Sequence, residues 1–280
     1  MKYAIIIPDG CADEPIAELG GKTPLQEARK PNMDRIAHDG IVGQSNNVPD
    51  SLTPASDVAT LSLFGYDPLK YYTGRAPLEA AAMGIQLGPH DWAVRCNLVT
   101  VIDDVMVDFS GGHVSIADGQ TYMAAVRERL TGGPLGFDAG VSYRNLMIYR
   151  GTPVLPAPFS RETRTHAPHD IPDKPIAPHL PTGPGSELLR DLMTESRKFL
   201  ASHPLNCTRQ ARGESPVTQV WLWGQGQAPN LAPFEKVYGK RGAIITAVDL
   251  LRGVGTILGW KRIDVPTATG YLDTDYAAKG

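Results

Sequence analysis

The sequence has few cysteines and little excess of charge of either sign. Its 280 residues include three cysteines, Cys11, Cys96 and Cys207, which are widely spaced and form no Cys-x-x-Cys pair. This spacing argues against a disulfide framework and a structural zinc site, so we interpret the cysteines as reduced and structural. The net charge of −3 at pH 7 gives no indication of a nucleic-acid partner. An anionic ligand would have to meet locally clustered cations.

Long hydrophobic runs are also scarce. The longest clean apolar stretch near the start covers residues 4–7, and Pro8 and Asp9 end it. A membrane-spanning helix needs about 20 apolar residues and a signal-peptide core about 7 to 15. The sequence therefore predicts neither a membrane span nor a signal peptide, and it favours a cytoplasmic protein.

Two phosphate-binding motifs are present only in part. The segment Gly20-Gly-Lys-Thr23 resembles the end of a P-loop, but Ile16 occupies the position of its first glycine. The segment Gly253-Val-Gly-Thr-Ile-Leu-Gly259 has one residue too many for the dinucleotide-binding fingerprint and lies within a helical pattern. We therefore exclude both kinds of site.

The hydrophobic pattern predicts an α/β protein. Residues 3–7 form a β-branched run that ends at an Asp-Gly turn, which is typical of a buried parallel strand. Residues 93–101 and 105–109 are predicted to form an antiparallel hairpin across Asp103 and Asp104. Other predicted strands cover 143–149, 217–223 and 242–247. Predicted helices cover 32–39, 56 to the glycine at 65, about 115–130, 188–200 and 251–258.

Changes in composition divide the chain into three parts. Residues 1–88 and 236–280 have an α/β pattern, whereas 89–235 combine β-rich runs with a segment, 151–184, whose nine prolines prevent a regular element. We predict that 89–235 is an α+β domain inserted into one larger domain. Residues 271–280 resemble the opening of a helix, and an isolated helical turn is unfavourable. We therefore expect the helix to run on and the chain to be incomplete.

Two polar residues stand where chemistry is expected in an α/β sheet. Asp9 follows the first predicted strand, at the sheet edge where open α/β sheets bind ligands; taken alone, it is more simply a turn residue. Ser56 stands where a loop enters a helix, so it is either an ordinary N-cap or a nucleophile whose phosphate ester the helix N-terminus would favour.

Ordered segments along essentially the whole chain carry a family resemblance. They include Ile7-Pro-Asp-Gly10, Ser56-Asp-Val-Ala-Thr-Leu-Ser-Leu-Phe-Gly65, Gly74-Arg-Ala-Pro-Leu-Glu-Ala80, Asp108-Phe-Ser-Gly-Gly-His-Val114, Tyr143-Arg-Asn-Leu146, Pro168-His-Asp-Ile171 and Trp221-Leu-Trp-Gly-Gln-Gly226. Together these segments resemble the archaeal-type, cofactor-independent phosphoglycerate mutases of the alkaline phosphatase superfamily.

The resemblance implies a fold and a reaction. The fold is an alkaline-phosphatase-like three-layer α/β/α domain with an inserted α+β domain. In the reaction, a serine takes the phosphoryl group of 3-phosphoglycerate and returns it to the other hydroxyl, at a two-metal site and without 2,3-bisphosphoglycerate. Ser56 matches the nucleophile, which is also a metal ligand, and Asp9 matches another metal ligand. Mn²⁺ is the ion we expect first, with Mg²⁺, Co²⁺ or Zn²⁺ as alternatives, since mixed oxygen and nitrogen ligands accept several ions.

Substrate contacts are expected mainly from arginines, because their planar forks suit both the phosphate and the carboxylate of phosphoglycerate. The candidates in family-like segments, with the first two ranked highest, are Arg75, Arg144, Arg95, His113, His169, Asp170 and Arg212. For each arginine the alternative is solvated surface charge. His113 either contacts substrate or transfers a proton, or has a purely structural place.

The sequence departs from the family pattern in two ways. Ala55 stands where a glycine usually precedes the nucleophile, and the family's remaining metal ligands would follow Gly280. We therefore expect this chain to lack a competent metal centre. Three alternatives stay open: a phosphoglycerate mutase that needs further C-terminal residues, a related phosphotransferase similar to proposed homoserine kinases and dependent on ATP, and a non-catalytic phosphoglycerate-binding protein.

Overall fold

The computed structural model describes residues 1–270 and 273–280. The chain falls into two compact units, Met1–Asn46 and Asn47–Gly280. The described helices are α1 Pro24–Glu27, α2 Pro31–Asp39, α3 Ser56–Leu63, α4 Pro68–Tyr71, α5 Ala76–Ala82, α6 Ile116–Leu130, α7 Ser186–Leu200, α8 Pro204–Ala211, α9 Phe234–Tyr238, α10 Asp249–Ile257 and α11 Tyr276–Lys279. The described strands are β1 Trp92–Ile102, β2 Val105–Asp108, β3 Leu135–Val141, β4 Arg144–Tyr149, β5 Gln219–Gly226, β6 Ala243–Ile244 and β7 Lys261–Arg262.

The first unit corrects one prediction. Residues 3–7 form no strand, and Ile6 in the middle of this run is 84% exposed. A β-branched run supplies only a propensity, and a strand also needs a hydrogen-bonded neighbour. No described strand pairs with these residues. The predicted helix at 32–39 is confirmed as α2, which Pro31 begins because its fixed φ suits a first helical turn.

The second unit contains an antiparallel sheet built around β1. Strand β1 pairs with β2, β4 and β5, and β4 also pairs with β3. The predicted hairpin is confirmed: Asp103 and Asp104 connect β1 to β2 with φ values of 49° and 58°, the left-handed backbone that two-residue hairpin turns use. Strands β4 and β5 confirm two more predicted strands with shifted ends.

The two faces of this sheet have different roles. Val94, Cys96 and Leu98 alternate along β1 and join the main core with residues of α6 and α7, such as Tyr122 and Leu189. Successive side chains of a strand point to opposite faces, so the intervening Arg95 and Asn97 lie on the other face. There Ala76 and Ala80 of α5 pack against Ala93, Leu146 and Ile148 of the sheet. The small alanines let α5 lie close to the strands, and this contact places the site described below.

A second apolar cluster joins distant parts of the chain. Leu61 of α3, Leu78 of α5 and Val254 of α10 share one buried core. Helices α5 and α10 approach so closely that a Cβ on Gly253 would lie 1.8 Å from the Leu78 carbonyl oxygen. Gly253 therefore serves the packing of α10 against α5, which agrees with the exclusion of the dinucleotide motif.

Several local predictions need adjustment. Ser56 is the first residue of α3, and Ala55 occupies the N-cap position without a capping side chain, so the N-cap interpretation of Ser56 is wrong.

The predicted strand at 242–247 shrinks to β6, which pairs in parallel with β7. Between 151 and 184 the structure has only short 3-10 turns, as the prolines predict. The helix opening predicted from 271 is present as α11, while residues 271–272 lie outside the described residues. No helix within the described ranges is long and apolar enough to cross a membrane.

Candidate functional site

Arg95 and Trp223 form the floor of the candidate site. They face each other across the β1–β5 ladder, and the Arg95 guanidinium lies 4.2 Å from the Trp223 ring centroid. The indole N–H of Trp223 donates a hydrogen bond to Asn97 Oδ1 at 3.1 Å. The Arg95 side chain is only 4% exposed, and this burial lowers its pKa while the nearby Glu79 carboxylate opposes that shift.

Arg75 enters the site from the start of α5. The preceding Gly74 has a φ of +141°, and a Cβ there would lie 2.2 Å from the Gln225 carbonyl oxygen. Only glycine permits this close approach of two backbones, which brings Arg75 to within 5.7 Å of the Trp223 ring centroid. The Arg75 Nε lies 3.4 Å from Glu79 Oε1.

A cavity of about 210 Å³ lies beside these arginines. Its lining includes Arg75, Glu79, Arg144 and the first residues of α10, Asp249 and Leu250. The Nε of Arg144 is buried and makes no hydrogen bond within the described chain. A buried donor without an acceptor is costly, so the cavity suits a ligand that brings acceptor oxygens.

His169 borders the same cluster from the proline-rich segment. Its ring packs edge-on against Trp223, with ring centroids 5.3 Å apart, and its side chain is 40% exposed. Burial lowers the pKa of His169, and the positive charges of Arg75 and Arg95 lower it further, while Asp170, 3.8 Å away, opposes the shift. His169 is therefore predominantly neutral at pH 7, when it can accept or donate a hydrogen bond.

Ser56 lies on the first turn of α3 and is exposed. The next residue, Asp57, is fully buried, and its Oδ2 accepts a hydrogen bond from the Tyr72 hydroxyl at 2.9 Å. Burial first, and then the Asp57 charge and hydrogen bond, raise the pKa of Tyr72 well above its usual range, while Arg75 and Arg95 oppose this shift. The start of α3 is thus tied to the segment that leads into the arginine cluster.

Asp9 belongs to the first unit, within a turn in which the Cys11 N–H donates to the Pro8 carbonyl at 3.2 Å and Gly10 has a φ of +76°. Because Ser56 belongs to the second unit, their sharing of a metal ion stays a prediction. Among residues 1–270 and 273–280, no three His, Cys, Asp or Glu side chains are grouped so that they could hold a metal. The described part of the chain does not fit the two-metal centre that the resemblance implies.

His113 and Arg212 make their contacts with other residues of the described chain, so the structure does not join all seven predicted substrate residues. Arg212 ion-pairs with Asp118 and Glu214, each at 2.9 Å. His113 follows two glycines in left-handed backbone and has a φ of 49° itself. Ser110 Oγ holds this loop by accepting the His113 backbone N–H at 2.9 Å.

Sequence reasoning missed Glu79, Asn97 and Trp223 as members of the site. Glu79 had a visible signal, since it is the one charge in the apolar run Ala76-Pro-Leu-Glu-Ala-Ala-Ala82, and a buried charge needs a partner. Asn97 and Trp223 had none, because their roles depend on which strands pair with β1.

Comparisons with known proteins identify the family. The sequence model of 2,3-bisphosphoglycerate-independent phosphoglycerate mutase matches residues 37–206. A protein of that name from Methanothrix thermoacetophila is 49% identical over 279 residues, which are 100% of this chain and 69% of the relative. Another, from Methanothermobacter thermautotrophicus, is 49% identical over 282 residues, 100% of this chain and 68% of the relative.

Solved structures agree with this finding. A protein from Pyrococcus horikoshii aligns over 97% of this chain and 63% of its own length, with 26% identity and a TM-score of 0.71. The cofactor-independent phosphoglycerate mutase from Thermoplasma acidophilum aligns over 92% of this chain and 68% of its own, with 26% identity and a TM-score of 0.52. The predicted resemblance is confirmed, and the chain belongs to the 2,3-bisphosphoglycerate-independent phosphoglycerate mutases, a family of isomerases.

Proposed function

We propose that the cavity beside Arg75 and Arg144 binds phosphoglycerate, and that Ser56 is the nucleophile of the mutase reaction. The buried, unpartnered Nε of Arg144 carries this proposal. Arg144 lines the same cavity as Arg75, so two guanidinium groups can meet the phosphate and the carboxylate of the substrate. Arg95 supports the site from beneath, and His169 can exchange a hydrogen bond at its edge.

The proposed reaction has two balanced transfers. The Ser56 Oγ attacks the phosphorus of 3-phosphoglycerate, the bond from phosphorus to the 3-oxygen breaks, and the serine proton passes to that oxygen, which leaves phosphoserine and glycerate. The 2-hydroxyl of the glycerate then attacks the phosphoserine, the bond from phosphorus to Ser56 Oγ breaks, and the hydroxyl proton returns to Ser56, which gives 2-phosphoglycerate. The arginines hold the glycerate between the two transfers.

The metal requirement remains a separate proposal. The family resemblance assigns Asp9 and Ser56 as ligands of two divalent ions, Mn²⁺ first, but the described residues offer no complete ligand set. We therefore route no step through a metal. The three-part division at 88 and 235, the three-layer α/β/α arrangement and the cytoplasmic location also remain proposals. The shared core of Leu61, Leu78 and Val254 supports the division, because it joins the first and third parts.

The test is a coupled assay for conversion of 3-phosphoglycerate to 2-phosphoglycerate, without 2,3-bisphosphoglycerate and with or without Mn²⁺. Turnover by this 280-residue chain that disappears in Ser56→Ala would support the mutase. Turnover that needs ATP would instead support a homoserine-kinase-like phosphotransferase. Binding of 3-phosphoglycerate without turnover or phosphoserine would support the non-catalytic alternative.

A further inference from the structure

Glu79 lies between two arginines that differ in burial. Its own side chain is 12% exposed, whereas that of Arg95 is 4% exposed and that of Arg75 is 31% exposed. Glu79 Oε2 accepts a hydrogen bond from Arg95 Nε at 2.8 Å, and Oε1 lies 3.4 Å from Arg75 Nε. One carboxylate thus contacts both a structural arginine and an arginine that lines the cavity.

The contact with Arg75 involves only one edge of the guanidinium. In the part of the chain that the structure describes, the Arg75 side chain hydrogen-bonds through Nε alone, with its guanidinium near the face of Trp223. Its two terminal nitrogens are left for a ligand. An arginine anchored in this way loses less side-chain freedom when it binds an anion.

We propose that Glu79 is a positioning residue for substrate binding. It neutralises the buried Arg95 and holds the Nε edge of Arg75, so that the terminal nitrogens of Arg75 face the anionic substrate. This inference rests on the proposed function, because it takes phosphoglycerate as the occupant of the cavity.

The alternative is that the Glu79 carboxylate weakens substrate binding. Glu79 lines the cavity, and a carboxylate there repels an anion. If its charge were its main influence, removal of that charge would tighten substrate binding. Positioning predicts weaker binding instead, so the sign of the change decides between the two.

The experiment is a calorimetric titration of 3-phosphoglycerate into the 280-residue chain and its variants. We expect Glu79→Gln to weaken binding roughly tenfold through loss of the charge-assisted contact, and Glu79→Asp to recover most of that loss. Asp91→Asn is the matched control. Asp91 is a buried carboxylate paired with Arg150 at 2.6 Å, outside the cavity lining, so its variant should bind 3-phosphoglycerate like the unaltered chain.

A double variant keeps the test decisive if Glu79→Gln fails to fold. Glu79→Met with Arg95→Met removes the buried pair together, and such replacements often preserve folding, yet Arg75 still loses its anchor and binding should weaken. Undiminished or tighter binding by Glu79→Gln, or by the double variant where the single one does not fold, would overturn the inference alone. Absence of binding by the unaltered chain would overturn the proposed function and the inference with it.

Discussion

Two arginine clusters in the second unit differ in how their charges are balanced. At the cavity, Glu79 is the carboxylate that pairs with Arg75 and Arg95, and Arg144 forms no ion pair among the described residues. In the other cluster, Arg209 and Arg212 each pair with both Asp118 and Glu214, at 2.9 to 3.0 Å. The first cluster has an excess of positive charge, and the second has none.

This difference separates a binding site from a structural support. Arg209 is 1% exposed, and its remaining nitrogens donate to the carbonyls of Gly111 and Ser215, so its hydrogen-bonding capacity is used within the protein. Arg144, in contrast, keeps a buried donor without an acceptor. Sequence alone ranked Arg144 above Arg212, and the structure supplies a physical reason for that difference.

The largest expected effect is on stability, from Arg209→Met. This change leaves Asp118 partly buried with a weakened counter-charge and deprives the Gly111 carbonyl of its donor. We expect the free energy of unfolding to fall by about 3 to 5 kcal/mol, the typical cost of breaking a buried pair. Urea unfolding measures this. A loss below about 1 kcal/mol would show that Arg209 is not the support that the geometry indicates.

Arg144→Met should lower substrate affinity and leave stability unchanged, the reverse of what we expect for Arg209→Met. Because its guanidinium has no ion-pair partner among the described residues, stability should be preserved, whereas affinity for 3-phosphoglycerate should fall roughly 10- to 100-fold through loss of charge-assisted bonds. Arg212→Met is the control from the balanced cluster and should leave the affinity unchanged. Equal losses in both variants would remove the distinction between the clusters.

The hydrogen bond from the Tyr72 hydroxyl to the buried Asp57 carboxylate tests whether a buried charge depends on its partner. Tyr72→Phe leaves Asp57 Oδ2 without its donor, and we expect the free energy of unfolding to fall by about 1 to 3 kcal/mol. Tyr66→Phe is the matched control, since that hydroxyl donates to the Ala232 carbonyl at 2.8 Å, a neutral acceptor whose loss should cost less. If Tyr66→Phe lowers the free energy of unfolding as much as Tyr72→Phe or more, the expectation is contradicted.

The smallest effect concerns pH. Because burial and the nearby arginines lower the pKa of His169 below the ordinary histidine value of 6.5, the unfolded chain binds this proton more readily than the folded one. Stability from His169 is therefore present above about pH 6.5 and decreases as the pH falls through the lowered pKa. His169→Gln should flatten the dependence of the unfolding midpoint on pH below 6.5. An unchanged slope would show that folding does not lower the pKa of His169.

Strands were predicted correctly from the sequence where a neighbouring strand is available to pair with them. The run at 3–7 is richer in β-branched residues than Leu135–Val141, yet only the latter is a strand, because β4 pairs with it. The hairpin at Asp103 and Asp104 was predictable, since its two strands and its turn are adjacent in the chain. Strand pairing between distant segments has no comparable local signal.

The residues of the candidate site were likewise predictable only where a local segment of the sequence marks them. Arg75, Arg95, Arg144 and His169 were accessible from the family-like segments, and the structure brings them together around Trp223. Their partners, Glu79 and Trp223, come from an alanine-rich helix and a buried strand, where an aromatic or a lone charge has many ordinary explanations. The pairing of β1 with β5 gives these residues their roles.

The most direct test is a crystal structure of the 280-residue chain soaked with 3-phosphoglycerate. We predict ligand oxygens within hydrogen-bond distance of the Arg144 guanidinium and of a terminal nitrogen of Arg75, with Glu79 still bonded to Arg95. Ligand density at Arg209 and Arg212, with the cavity empty, would contradict the assignment of the unbalanced cluster as the binding site.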